Sequence, residues 1–173
     1  MKTCRARIIS IVVAVLGLIL TYAGCATERP VGTETKFNYS EHKRNMEAGG
    51  NSIKGGAFLR LKGNGFATCA GIDVVMIPAT SFFRETMRQF LAGRQLQLDK
   101  LEPAVAEALR RSRCDARGNF SFADVPNGTW FVLTAVTWKA GSARQGATLM
   151  REVTLSNNNT VEVLLTEKDI ISR

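Results

Sequence analysis

The sequence predicts a mainly β chain: an antiparallel β-sandwich of about seven strands, interrupted by a helical insertion and preceded by a signal segment and tether. Three observations predict it. Short apolar segments with a two-residue alternation recur from residue 52 onward. Turn clusters separate them, among them Asp115-Ala116-Arg117-Gly118, Pro126-Asn127-Gly128 and Ser156-Asn157-Asn158-Asn159. Fifteen glycines against four prolines suit a chain with many tight turns.

The expected strands follow in order. Residues 53–61 place Ala57, Leu59 and Leu61 on one face, with Lys54, Phe58 and Arg60 between them. Residues 72–77 are a continuous, largely β-branched run bounded by Gly71 and Pro78. Residues 119–122 alternate, and 130–138 follow the Pro-Asn-Gly turn. Residues 148–155 and 161–165 complete the set.

One stretch breaks this rhythm. Thr80 or Ser81 can cap a helix in which Phe83, Met87, Phe90 and Leu91 fall at helical spacing, with Gly93 as its stop. A second helix is expected from Glu102, with Pro103 in its first turn and Val105, Ala108 and Leu109 on one face. The whole interval 82–113 reads as a helical insertion whose apolar faces pack on the exposed end of the sandwich. It carries seven Lys and Arg against four acids, so Arg84, Arg88, Arg110 and Arg111 are candidates for an outward basic surface that would steer an acidic protein partner.

At the start of the chain, Lys2, Arg5 and Arg7 precede the apolar run 8–20, and small residues follow. These are the three parts of a secretory signal. The run is shorter than the ~20 residues of a spanning helix. The exit Ala23-Gly24-Cys25 resembles a lipoprotein signal, although Tyr22 stands where an aliphatic residue is usual. The resemblance implies that Cys25 becomes the lipidated, palmitate-bearing amino terminus. Ala26 after it then implies the outer membrane, facing the periplasm. Ordinary cleavage after Ala26, giving a soluble periplasmic or secreted protein, is the alternative. The expected organisation is 1–24 signal peptide, 25–50 lipidated cysteine and flexible tether, 51–168 sandwich, and 169–173 tail. His42, the one histidine, lies in the tether and is expected to be solvated.

The formal charge is +8. Loss of Lys2, Arg5 and Arg7 with the leader leaves 20 basic residues against 15 acidic ones, or +5. That basicity suits anionic lipid headgroups or acidic polysaccharide, and no basic cluster interleaved with aromatics points to nucleic acid. Of four cysteines, Cys4 leaves with the leader and Cys25 is spoken for, so Cys69 and Cys114 remain as a pair. In an exported chain they are expected to form a disulfide closing the insertion, worth roughly 4 kcal/mol by loop entropy. No metal or other cofactor is implied, because two cysteines without a partnering histidine do not make a zinc site.

The string from Cys114 through Asp115-Ala-Arg-Gly-Asn-Phe-Ser-Phe to Val125-Pro-Asn-Gly-Thr-Trp resembles the carboxypeptidase regulatory-like domains. Their Asp-x-x-Gly-x-Phe-x-Phe turn-strand precedes a Val/Leu-Pro-x-Gly-x-aromatic turn-strand. The segment 69–80 is similar to the early Gly-x-x-Val-x-Leu-x-Pro strand of that family. The resemblance implies a transthyretin-like fold, shared with starch-binding modules, that serves as a structural or binding appendage. It does not imply a peptidase: the metal-binding histidines are absent, no Gly-x-Ser-x-Gly elbow exists, and Asp115 and Asp124 read as turn formers.

The leading expectation is therefore a non-catalytic, membrane-anchored envelope lipoprotein whose sandwich contacts another protein. Carbohydrate binding is the alternative, with Trp130 and Trp138 as platforms. The two indoles share a strand face with Val132, Thr134 and Val136, so a core-facing strand would make them packing residues instead. An inhibitor of a periplasmic enzyme is a weaker third reading.

Overall fold

The computed structural model describes residues 35–94 and 103–172. All six expected strands form, within a set of nine among the described residues. In chain order they are β1 (Asn51–Arg60), β2 (Phe66–Thr68), β3 (Asp73–Pro78), β4 (Arg110–Arg113), β5 (Asn119–Val125), β6 (Gly128–Ala140), β7 (Ala143–Leu155), β8 (Thr160–Leu165) and β9 (Ile170–Ser172). Three helices accompany them: α1 (Tyr39–Met46), α2 (Ser81–Leu91) and α3 (Pro103–Glu107). The strands make two sheets, a four-stranded one built on β1 with β2, β5 and β8, and a five-stranded one in the order β4-β3-β6-β7-β9.

The sheets face each other across an apolar interior. Ile53 and Leu59 of β1 and Val163 and Leu165 of β8 meet Trp130 and Val132 of β6 there. Alternation is clear in β8 and at both ends of β1, where only one face of the sheet is covered, and lapses at the Gly55-Gly56 pair. In β3 it fails for a physical reason. Val74 and Met76 point to the interior, while Val75 and Ile77 point the other way, beneath Phe83, Met87 and Val105 of the helices. The same holds for Trp130 and Val132 against Phe131 and Leu133 of β6. A continuous apolar run is the mark of a strand buried on both faces.

The helical segments thus form a third layer over the outer face of the five-stranded sheet, and do not plug an end of the sandwich. Phe83, Val105 and Leu109 are buried in that layer as expected, and Met87 with them; Phe90 is only half-buried. The insertion is also shorter than 82–113. Arg110–Arg113 is a strand antiparallel to β3, with Arg113 opposite Asp73 and Arg110 opposite Met76. Its all-polar sequence concealed it, yet charged residues are what a sheet edge carries to discourage further pairing.

Three other expectations are corrected. The sandwich is not antiparallel throughout, since β8 runs parallel to β1 over Ser52–Ala57 and Thr160–Leu165. Alternation is the same in either strand direction, so the pattern could not reveal this. Residues 170–172, expected as tail, pair with β7 as β9. Residues 35–50, expected as flexible tether, contain α1, and His42 on it is 0% exposed. Asn38 caps α1 by accepting from the backbone N–H groups of Ser40 and Glu41. Phe37 stacks on the His42 ring at 4.1 Å, and Phe83 meets that ring edge-on at 5.3 Å.

Two devices fasten the strands. Cys69 and Cys114 are bonded, with Cα atoms 5.8 Å apart, so the disulfide brackets β3, the helices and β4 as the sequence led us to expect. Buried Asn51 donates through Nδ2 to Val125 O and Asn127 Oδ1, both at 2.9 Å, and accepts at Oδ1 from Asn159 N–H. One side chain therefore joins the start of β1 to the turns before β6 and β8.

Candidate functional site

The uncovered face of the four-stranded sheet carries the candidate site. Every second residue of β1 looks outward from it: Ser52, Lys54, Gly56, Phe58 and Arg60. The two consecutive glycines of this strand do opposite jobs. Gly55 faces the interior, where a Cβ would stand 2.5 Å from Phe120 Cζ and would also collide with the Val163 carbonyl. Its missing side chain is the seat for Phe120. Gly56 faces out, where a Cβ would lie 3.5 Å from Asn119 Oδ1 and 3.6 Å from Leu164 Cδ1, both ordinary contacts. Gly56 is itself buried and forms the floor between these side chains.

Strand register sets the walls around that floor. Asn119 and Leu164 stand opposite Gly56, and Ser121 and Glu162 stand opposite Lys54. Together with Ser112 and Arg113 of β4 and Arg151 of β7, these residues bound a shallow cleft of about 830 Å³. Asn119 is held in a definite orientation. Its Nδ2 donates to Asp115 Oδ2 at 3.1 Å, which leaves Oδ1 beside Gly56. Asp115 Oδ1 in turn accepts from the backbone N–H groups of Arg117 and Asn119, each at 2.8 Å. Hydrogen bonds from Asn119, backbone then side chain, hold the Asp115 carboxyl below its ordinary pKa, because they favour the charged form. The cleft thus offers an amide oxygen, two hydroxyls, an ammonium, two guanidinium groups, two carboxylates and one aliphatic wall. Leu164 is 50% exposed.

Farther along the same face lies an aromatic pair. Phe66 of β2 stands opposite Arg60, and Phe58 stands opposite Thr68. Phe66 is 61% exposed. Phe58 meets it edge-on with centroids 5.9 Å apart, and the Arg60 guanidinium lies 6.0 Å from its ring centre.

The site residues expected from the sequence are dispersed. Trp130 is 0% exposed in the core, with the Arg110 guanidinium 5.8 Å from its ring, so it cannot serve as a sugar platform. Trp138 is half-buried and packs against the same core. Of the four arginines, Arg84 and Arg88 on α2 and Arg111 on β4 are exposed. Arg84 lies over Phe131 and holds Glu152 through two hydrogen bonds, of 2.6 and 3.2 Å, and that pairing raises its pKa. Arg110 turns inward, donating to Glu47 O at 2.6 Å; burial lowers its pKa against the opposing pull of Asp124. A single basic face made of all four is therefore not present. Cys25 lies outside the described residues. Among the described residues no group of three or more His, Cys, Asp or Glu could hold a metal ion, and no helix is long and apolar enough to cross a membrane.

Sequence reasoning passed over Gly56, Asn119, Ser121 and Glu162. The signal that could have found them was the Gly55-Gly56 pair in the middle of a strand, because a strand glycine marks a place where something approaches the backbone closely.

No protein-family profile and no curated protein matches the chain. Among solved structures, it is similar to a Pseudomonas aeruginosa protein described as a candidate carbohydrate-binding protein. The identity is 28% and the TM-score 0.65, over 77% of this chain and 99% of that one. A second similar structure is the major pilin subunit of Bacillus cereus, at 16% identity and TM-score 0.42. That match covers 69% of this chain and 30% of the pilin.

Proposed function

We propose that this chain is a non-catalytic carbohydrate-binding protein of the bacterial cell envelope, held at the membrane through Cys25, with its binding face on the four-stranded sheet. The observation that carries the sugar reading is the cleft above Gly56, flanked by Asn119 Oδ1, Ser121, Lys54 and Glu162 with Leu164 as an apolar wall. A sugar ring has a rim of hydroxyls that both donate and accept, and a C–H face that is apolar. An oriented amide oxygen, a hydroxyl and charged groups around a shallow, solvent-open cleft answer the first requirement; an exposed leucine answers the second. The similarity to the Pseudomonas protein supports the same reading. The turns at Asp115 and Pro126 support placing the sandwich among the carboxypeptidase regulatory-like domains, whose relation to starch-binding modules agrees with it.

A second reading, contact with an acidic protein through Arg88 and Arg111, is favoured by the exposure of those two side chains. Charge reversal at both separates the two readings, because it should abolish capture of a protein partner and leave sugar binding intact.

The binding test is titration of the protein with oligosaccharides, comparing wild type with Gly56→Val, which fills the floor without reaching the core. Loss of binding in the variant at unchanged melting temperature is the expected result. Equal binding by the two proteins would move the site elsewhere. The anchor is tested by Cys25→Ala, which should release the protein from the membrane fraction or leave its precursor unprocessed; unchanged fractionation with no lipid adduct by mass spectrometry would remove Cys25 from the account.

A further inference from the structure

We infer that the site continues past Gly56 to a second, aromatic subsite at Phe66, so that the ligand is a linear glycan lying along β1 and not a single sugar. The inference rests on the carbohydrate reading and adds the ligand class to it. Its basis is the sequence of groups on one face. Outward positions of β1 recur every second residue, so the row from Ser52 to Arg60 is about 27 Å long at the usual strand rise. The polar groups lie along its first half, opposite Lys54 and Gly56. The aromatic pair lies along its second half, where β2 runs beside β1.

Phe66 is exposed without being loose. Phe58 contacts it edge-on and the Arg60 guanidinium lies 6.0 Å from its ring centre, while 61% of the residue stays open to solvent. A ring held this way costs little further order when a ligand settles on it. A glycan chain presents apolar C–H faces and hydroxyl rims over and over along its length. A surface with oriented polar groups at one end and a fixed aromatic ring at the other fits two separated units of one chain. A protein partner fits less well. The exposed apolar side chains of this face, Leu164 and Phe66, stand opposite Gly56 and Arg60. They are separated by about 13 Å of strand with the half-buried Phe58 between them, so the apolar surface is a narrow row and not the broad hydrophobic patch that protein contacts use.

The test is calorimetric titration with two length series, maltose to maltoheptaose and cellobiose to cellohexaose, on wild type, Phe66→Ala and Gly56→Val. For at least one series the affinity of wild type should rise about tenfold from disaccharide to hexasaccharide, a gain of ~1.4 kcal/mol. Phe66→Ala should erase that gain and leave disaccharide affinity within about a factor of two, since only the distant subsite is removed. Gly56→Val should weaken every length. Affinity independent of length, or a gain that survives Phe66→Ala, would overturn the extended site while leaving the sugar reading in place. Failure of wild type to bind either series at any length would remove both. Sedimentation of the same proteins supplies a third arm: a wild-type dimer that Phe66→Ala dissociates would show the face to be a self-association surface and would also overturn the inference. Phe66 is exposed, so its replacement should leave the melting temperature unchanged.

Discussion

Thr80 occupies the N-cap position of α2, yet its hydroxyl makes no capping bond and lies instead 2.7 Å from His42 Nε2. The opposite ring nitrogen, Nδ1, is 2.6 Å from the Asn38 carbonyl. A carbonyl only accepts, so Nδ1 carries a proton, and in the neutral ring Nε2 accepts the Thr80 hydroxyl proton. One buried imidazole therefore ties the first residues of α1 to the first residues of α2. His42→Leu would keep the volume, strand Thr80 Oγ1, and leave Asn38 O with only the backbone N–H of residue 42 as partner. It should lower stability by about 2–3 kcal/mol and speed hydrogen exchange in Tyr39–Met46 ahead of the strands. Unchanged exchange in α1 would mean that Phe37 and Phe83 suffice to dock it.

Neighbouring glycines should respond in opposite ways. Gly55→Ala puts a methyl group against Phe120 and the Val163 carbonyl, both fixed by the sheet, and should cost about 1–3 kcal/mol as overpacking does. Gly56→Ala meets only ordinary contacts and should leave stability unchanged or slightly raised. Urea unfolding of the two variants decides the matter. Equal losses would show that the outward side of Gly56 has no room for a methyl group.

The disulfide closes a separation of 45 residues that holds β3, both helices of the outer layer and β4. Replacing Cys69 and Cys114 together by alanine should lower stability by about 3–4 kcal/mol. The loss should appear first as faster exchange in β4, an edge strand of four residues. Retention of wild-type stability under reducing conditions would show that packing of Val75 and Ile77 against the helices is enough.

Asp115 links the turn to the cleft, and its protonation should be felt in both. Its folded pKa is depressed. The stability it contributes is therefore present above the ordinary aspartate value of about 3.9 and is lost as pH falls through the lower, folded pKa. Amide shifts of Arg117 and Asn119 followed from neutral to acid pH should titrate below that ordinary value. Asp115→Ala should remove the titration and free the Asn119 amide. Titration at the value of free aspartate would contradict the hydrogen-bond geometry.

Most of the sandwich was legible because its signals are local. Turn chemistry at Asp115–Gly118 and Pro126–Gly128, two-residue alternation in β1 and β5, and helical spacing of Phe83 and Met87 each depend on a few adjacent residues. What escaped depends on partners distant in sequence. Arg110–Arg113 is a strand only because β3 lies beside it. The direction of β8 is set by its crossing to the other sheet, and His42 is buried only because Phe37 and Phe83 close around it. For the site, the tryptophans drew attention as large aromatic residues, but size favours the core as readily as the surface. The outward parity of Phe58 and Lys54 was readable. The cleft also needs the register that brings Asn119, Glu162 and Leu164 to Gly56, and register across three strands is not written in any one of them.

We expect the outer face of the four-stranded sheet to bind carbohydrate. Amide chemical-shift mapping during titration with a hexasaccharide tests it most directly. Perturbations should centre on Lys54–Phe58, Asn119–Ser121 and Glu162–Leu164, reach Phe66, and spare the helical layer. Shifts that cluster instead around Arg88 and Arg111, or no shifts at saturating sugar, would contradict it.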